Sequence, residues 1–278
     1  MIKIICDSMS DVPRELIDRY DLHMIPTSVT VDGIEYVDWE DITPQDFYKI
    51  IRNSKSTSKT SQATYARFLE ALEVYAQQYE DIIYIGGSSK TSGSFQSANM
   101  AMNDIESNCN MYAIDSLSFS AGSAVLVIKA CMLRDQGLSA KEIVDTIESL
   151  KGSEEVFVTV DDLEYMKRGG RISPAKAAIG SFLNIKPLIT LVDGLPEVAA
   201  QLRGKKKAIA EIFNKATEKF DSLEDCIIVY GCGDNDEDLK ALTEKIKQSG
   251  CKYAYEVKVG PTMTAHTGPA IIGMAILK

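Results

Sequence analysis

Two stretches of the chain are crowded with hydroxyls: Ser54 to Thr64 holds seven Ser or Thr in eleven residues, and Ser88 to Ser97 holds six in ten. The second stretch is the more informative. Gly86-Gly87-Ser88-Ser89-Lys90-Thr91-Ser92-Gly93 follows an apolar, strand-like run and leads into a helical pattern at Ser94. The first N–H groups of a helix lack intrahelical partners and sit at the positive end of its dipole, so such a turn suits a phosphate or carboxylate. It is not a P-loop, because Ser89 stands where G-x-x-x-x-G-K-[ST] requires glycine, and it does not fit G-x-G-x-x-G. These motifs give nucleotide binding no support.

Other reactive groups are sparser. Asp7-Ser8 and Asp115-Ser116 each close a strand-like run, and strand carboxyl ends line the ligand crevice of an open α/β sheet; the same aspartates serve equally as turn or helix caps. His266 lies in a stretch bounded by Gly260-Pro261 and Gly268-Pro269, read as a loop, and with no G-x-S-x-G elbow it reads as a hydrogen-bonding group before a general base. His23, just ahead of an apolar run, reads as structural. Six cysteines without a C-x-x-C pair and only two histidines leave no recognisable zinc or iron site and no disulfide framework.

The formal charge of −10 disfavours general attraction to nucleic acid or anionic lipid. It is unevenly spread: from Tyr165 to Lys207 nine cations face two anions, so this stretch is +7 and the remainder −17. Within it, Lys167-Arg168-Gly169-Gly170-Arg171 and Arg203-Gly204-Lys205-Lys206-Lys207 place cations beside glycines, which let a partner approach the backbone. This stretch is suited to an anion or an acidic partner.

The elements that must hold these residues follow from periodicity. With 278 residues, 45% apolar and 25% charged, the chain can build one large or two medium cores. Its first half alternates strand and helix: a strand from Ile2 to Cys6, helix Pro13 to Tyr20, one strand from Met24 to Val31, helices near Pro44 to Arg52 and Tyr65 to Tyr79, then strands at Asp81 and Asn110 separated and followed by helices. That rhythm predicts a mainly parallel, Rossmann-like sheet covered on both faces. After Lys151-Gly152-Ser153 the pattern changes. A helix from Pro174 to Leu183, the Asp193-Gly194 hairpin signal, and further helices and strands predict a second α/β unit with a mixed or antiparallel sheet. The expected organisation is two α/β domains, 1–153 and 154–278. No apolar run approaches the roughly 20 residues that span a bilayer, and Met1 to Asp7 reads as a strand rather than a signal peptide, which places the chain in the cytoplasm without integral membrane contact.

The order of motifs resembles the bacterial DegV family nearly end to end. The resemblance is carried by Asp7-Ser8 with Asp11, Thr60-Ser61-Gln62, Ser88 through Ala98, Asp115-Ser116, Asp162 through Ile172, Ile185-Lys186-Pro187-Leu188 and His266-Thr267-Gly268-Pro269. It implies a two-domain DegV-like α/β fold that holds a long-chain fatty acid between the domains, with no other cofactor and no metal. In some members this is the binding subunit of a fatty acid kinase, which implies a separate ATP-binding kinase subunit as partner and no catalytic centre in the chain itself. By the same resemblance Thr60, Ser61, Ser92, Gly93, Ser94 and His266 surround the carboxylate, while Arg171 and Arg203 lie near the mouth and face a partner or phosphate. The chain departs from the family pattern at Ala63, Thr91, Ser94 and Ala270, where proline, leucine, threonine and glycine are usual. Burying about 14 methylenes at ~0.8 kcal/mol each yields about 11 kcal/mol before ordering costs, so a tail would supply affinity and a head group orientation. Two other readings remain: a hydrolase or transferase holding a small phosphorylated substrate in the serine loops, and a regulatory protein acting through the basic stretch.

Overall fold

The computed structural model describes residues 1–54, 56–161, 163–173 and 184–278. In chain order the first part comprises β1 (Ile2–Asp7), α1 (Arg14–Arg19), β2 (His23–Ile25), β3 (Ser28–Val31), β4 (Ile34–Val37), α2 (Pro44–Asn53), β5 (Lys59–Ser61), α3 (Tyr65–Tyr75), β6 (Asp81–Gly86), α4 (Ser94–Asp104), β7 (Asn110–Asp115), α5 (Ala121–Asp135) and α6 (Ala140–Leu150). The second part comprises β8 (Glu155–Thr159), α7 (Glu164–Arg168), β9 (Ile185–Val192), β10 (Leu195–Arg203), α8 (Lys205–Thr217), β11 (Ile227–Cys232), α9 (Asp236–Gln248), β12 (Tyr253–Lys258), α10 (Pro261–Thr267) and β13 (Ile272–Leu277). The helix expected from 174 to 183, and Asp162 of the basic motif, lie outside the described residues.

The mixed α/β architecture matches the sequence expectation, with three sheets among the described residues. Strands β2-β1-β6-β7 form a four-stranded, wholly parallel sheet, and β10-β9-β8-β13-β11-β12 form a six-stranded mixed sheet. The Asp193-Gly194 hairpin joins β9 to β10 in antiparallel pairing. The third sheet, β4-β3-β5, is antiparallel and was not anticipated. It arises because the expected strand from Met24 to Val31 divides at Pro26-Thr27: proline has no N–H for a ladder, so β2 ends beside β1 while β3 turns away to pair with β4 and β5.

Helix starts follow local chemistry. Thr43 and Thr64 accept N–H bonds at the heads of α2 and α3, and Ser139 with Glu142 forms a capping box on α6. Helix α5 departs from amphipathic patterning and buries eleven of its fifteen residues. It is apolar all round because it lies between sheets, against β1 and β6 on one side and β11 and β13 on the other. One apolar cluster therefore runs from Ile4 and Ile83 through α5 to Val229 and Leu277, so both parts of the chain share a core. Among the described residues no helix is long and apolar enough to cross a membrane.

Candidate functional site

The first wall of the site is β5, whose Thr60 pairs with Val29 of β3. The second is the turn leading into α4. Ser94 Oγ accepts the Ala63 N–H at 3.1 Å and lies 3.1 Å from Ser92 Oγ, while Gln62 Nε2 donates to Ser97 Oγ at 2.8 Å. These bonds stitch the two hydroxyl-rich stretches together across about thirty residues of chain. Glycine at 93 is part of the fit, since a Cβ there would fall 1.8 Å from Gln62 Oε1.

The third wall corrects the reading of Gly260 to Pro269 as a loop. Pro261 starts α10 from the first helical position, where its missing N–H costs nothing, and Gly268 ends it with φ of 76°. His266 therefore sits on a buried helix. Its Nε2 is 2.9 Å from Thr60 Oγ1, whereas its buried Nδ1 has no hydrogen-bond partner among the described residues and faces Gly169, where a methyl would fall 2.3 Å away. An orphaned N–H in that position costs more than an orphaned lone pair facing carbon, so the proton belongs on Nε2. His266 then donates to Thr60 Oγ1, and the Thr60 hydroxyl hydrogen is left to point at something else. Burial, followed by the Arg171 charge, lowers the His266 pKa to about 4 and keeps the ring neutral near neutrality.

Arg171 completes the ring. Its guanidinium donates to the carbonyls of Gly169 (2.7 Å) and Thr91 (3.0 Å), and among the described residues no carboxylate pairs with it. Burial lowers its pKa, so an anion beside it would relieve a real cost.

These groups enclose a cavity of about 210 Å³ lined by Thr60, Ser61, Ser92, Gly93, Arg171 and His266, together with Thr27 and Thr262. Ser94 is fully buried behind that wall and supports Ser92. Arg203 is exposed at the end of β10, paired with Ile185, and is not among the lining residues. A second chamber of about 40 Å³ adjoins the first and is walled by aliphatic side chains of the six-stranded sheet, among them Val158, Ile189, Leu191 and Val257. Phe119, Met166, Met263 and Thr267 line both chambers and form the neck between them. Met166 and Thr267 fall within motifs quoted from the sequence but were given no role there, and Phe119, Met263, Thr27 and Thr262 were not singled out; isolated methionines and threonines carry no local signal of a cavity, and only the assembled fold makes them neighbours.

The aspartates at the strand ends act as caps. Asp7 accepts from Tyr84 Oη (2.7 Å) and from the Met9 and Gly87 N–H groups, and Asp115 accepts from those of Ser89 and Leu117. His23 Nδ1 lies 3.1 Å from Tyr75 Oη. Among the described residues no group of three or more His, Cys, Asp or Glu could hold a metal ion.

Comparison with known proteins places this architecture. A family model described as "Uncharacterised protein, DegV family" matches residues 1–278. The chain belongs to the DegV family. Among curated DegV domain-containing relatives, one from Caldanaerobacter subterraneus subsp. tengcongensis is 37% identical over 213 residues, covering 77% of this chain and 75% of that one. Another, from Clostridium acetobutylicum, is 32% identical over 281 residues, 100% of this chain and 98% of its own length. Of solved DegV structures, the Thermus thermophilus protein, described as fatty acid binding, superposes with a TM-score of 0.91 at 30% identity and covers 100% of this chain and 99% of its own. A stearic acid-binding protein of Eubacterium ventriosum superposes with a TM-score of 0.90 at 25% identity, covering 100% and 98%.

Proposed function

We propose that this DegV protein binds a long-chain fatty acid, with the carboxylate in the hydroxyl-lined cavity and the acyl tail in the apolar chamber. The observation that carries the reading is the adjacency of the two: a chamber lined by hydroxyls and Arg171 shares Phe119, Met166, Met263 and Thr267 with an aliphatic one, an arrangement suited to an amphiphile with an anionic head. The fatty acid-binding descriptions of the related solved structures support it. Thr60, Ser61, Ser92 and the Gly93 backbone supply the donors, Ser94 and His266 orient them, and Arg171 supplies the counter-charge. At about 40 Å³ the apolar chamber is far below the ~300 Å³ at which ligand pockets begin, so the neck must widen on binding, and two flexible methionines allow that at little strain.

The division of labour follows: residues 1–153 supply the serine loops, and residues 154–278 cover the acyl chain. The bound carboxylate would be presented to a separate ATP-dependent fatty acid kinase in the cytoplasm, with exposed Arg203 on the partner-facing side. The chain would act as a carrier, without chemistry of its own. A hydrolase or transferase with His266 as acid or base is less well supported, since the ring is held neutral with one nitrogen on Thr60 and the other against Gly169.

The test is solvent extraction of freshly purified protein, with mass spectrometry of what is released, repeated on Ser92→Ala. A stoichiometric fatty acid in wild type and a reduced load in the variant are expected. A protein that is empty and also fails to take up added palmitate would end the lipid reading. Full affinity in Ser92→Ala would displace the proposed head-group site.

A further inference from the structure

Four segments of the chain meet beside the head-group cavity in a buried cluster of hydroxyls and one carboxyl: Ser8 after β1, Thr27 between β2 and β3, Asp38 after β4, and Thr262 in the first turn of α10. Ser8 Oγ is 2.8 Å from Thr27 Oγ1 and accepts the Thr27 N–H at 3.0 Å; Thr27 Oγ1 is in turn 2.6 Å from Thr262 Oγ1. Asp38 Oδ2 accepts from Ser8 Oγ (3.1 Å), Thr27 Oγ1 (3.4 Å) and the Thr262 N–H (3.4 Å).

The carboxyl is an expensive choice at this position. Asp38 is fully buried, and among the described residues its Oδ1 has no hydrogen-bond partner and no cation pairs with it. A buried carboxyl left half satisfied costs several times what a neutral residue would. What it obtains is a hold on α10. The Thr262 N–H belongs to the first helical turn, whose donors lack intrahelical acceptors. Thr262 and His266 are four residues apart, so they share a helix face, and both line the cavity. This end is also held by the Gly260 N–H, which donates to Asp11 Oδ1 at 2.8 Å, and by Tyr48 Oη, which donates to the Val259 carbonyl at 2.6 Å.

We infer that Asp38 is a positioning residue for the head-group site: through Thr262 and Thr27 it fixes the start of α10 and so sets where His266 meets Thr60. The effect on ligand affinity rests on the proposed fatty acid binding; the effect on His266 does not.

Both are measurable in one set of variants. The chain has two histidines, and His23 on β2 serves as an internal reference for ring nitrogen NMR signals of the ligand-free protein. Asp38→Ala should shift the His266 ring signals, leave those of His23 in place, and weaken palmitate binding by about ten-fold or more. Asp38→Asn, which keeps one oxygen for the Thr262 N–H, should recover part of both. Thr262→Val, which removes only the hydroxyl link to Thr27, should weaken binding by about three-fold in the same direction, and decides the matter if Asp38→Ala does not fold. A folded Asp38→Ala whose His266 signals are unmoved, with affinity lost or kept, overturns the inference. Wild-type protein that binds no palmitate would fail the carrier reading, while the His266 signals would still judge Asp38.

Discussion

Replacing Thr60 with valine tests the proton arrangement at the centre of the site. Valine keeps the branched shape and suits a strand, so β5 should survive, but it removes a hydroxyl that accepts from His266 Nε2 at 2.9 Å and whose hydrogen is free to donate into the cavity. These are two separate losses. The bond from the hydroxyl to a charged carboxylate exists only with ligand bound and is worth ~1.5–3 kcal/mol, which is about 10- to 100-fold in affinity at ~1.4 kcal/mol per decade. The His266 N–H left without an acceptor is buried in free and bound protein alike, so its cost of ~1–3 kcal/mol appears as lost stability and cancels from binding. Calorimetric titration with palmitate and urea denaturation separate the two, and Thr60→Ser should restore both. If stability falls while affinity is unchanged, the Thr60 hydroxyl serves His266 alone and does not touch the ligand. If neither changes, the assignment of the proton to Nε2 is wrong.

Two further outcomes are expected. Gly169 has φ of −74°, so its backbone accepts alanine, and the penalty of Gly169→Ala is the methyl 2.3 Å from His266 Nδ1; the ring should shift off Thr60 and palmitate binding should weaken by about ten-fold, and a variant with wild-type affinity would remove His266 from the site. Burial, against bonds from Ser120 and the Gly260 N–H, raises Asp11 from 3.8 to about 8, so the folded protein keeps a proton that the unfolded chain releases near 3.8. The stability that proton carries is complete below about 4 and lost as pH rises towards 8, so wild type should lose ground to Asp11→Asn between pH 5 and 8 in urea midpoints; parallel midpoints across that range would contradict the burial argument.

Much of the hydroxyl-lined cavity was legible in the sequence because its residues cluster in two short hydroxyl-rich stretches, and a dense local composition survives without knowledge of the fold. Thr60, Ser61, Ser92 and Gly93 line one cavity for that reason. Asp38 and Thr262 were invisible for the opposite reason: Thr262 meets Thr27 across 235 residues, and each is unremarkable in its own neighbourhood. The small antiparallel sheet was missed because β5 lies inside a stretch so polar that it reads as a solvated loop, and the signal that divides β2 from β3 is a single proline. The helical state of His266 was masked by a glycine and a proline on each side, residues that bound a short helix as readily as they make a loop. The β9–β10 hairpin was legible from the apolar runs on either side of Asp193-Gly194, whose placement in a turn needs no long-range information.

The order of the six-stranded sheet has a consequence for synthesis. β13 is the latest strand in the sequence, yet it lies between β8 and β11, hydrogen-bonded to both. Until residue 277 has been made, β8 and β11 have no bridge between them, and α5 has only its β1 and β6 side to pack on. The parallel sheet can form while translation continues, since chains fold from the N-terminal side as they emerge. The second sheet, the neck and the apolar chamber must wait for the last strand to insert. A ribosome-bound intermediate would therefore expose the apolar faces of β8, β11 and α5 while displaying finished serine loops, a state open to aggregation and without the apolar chamber. Any ligand that needs the apolar chamber can therefore enter only once β13 is in place.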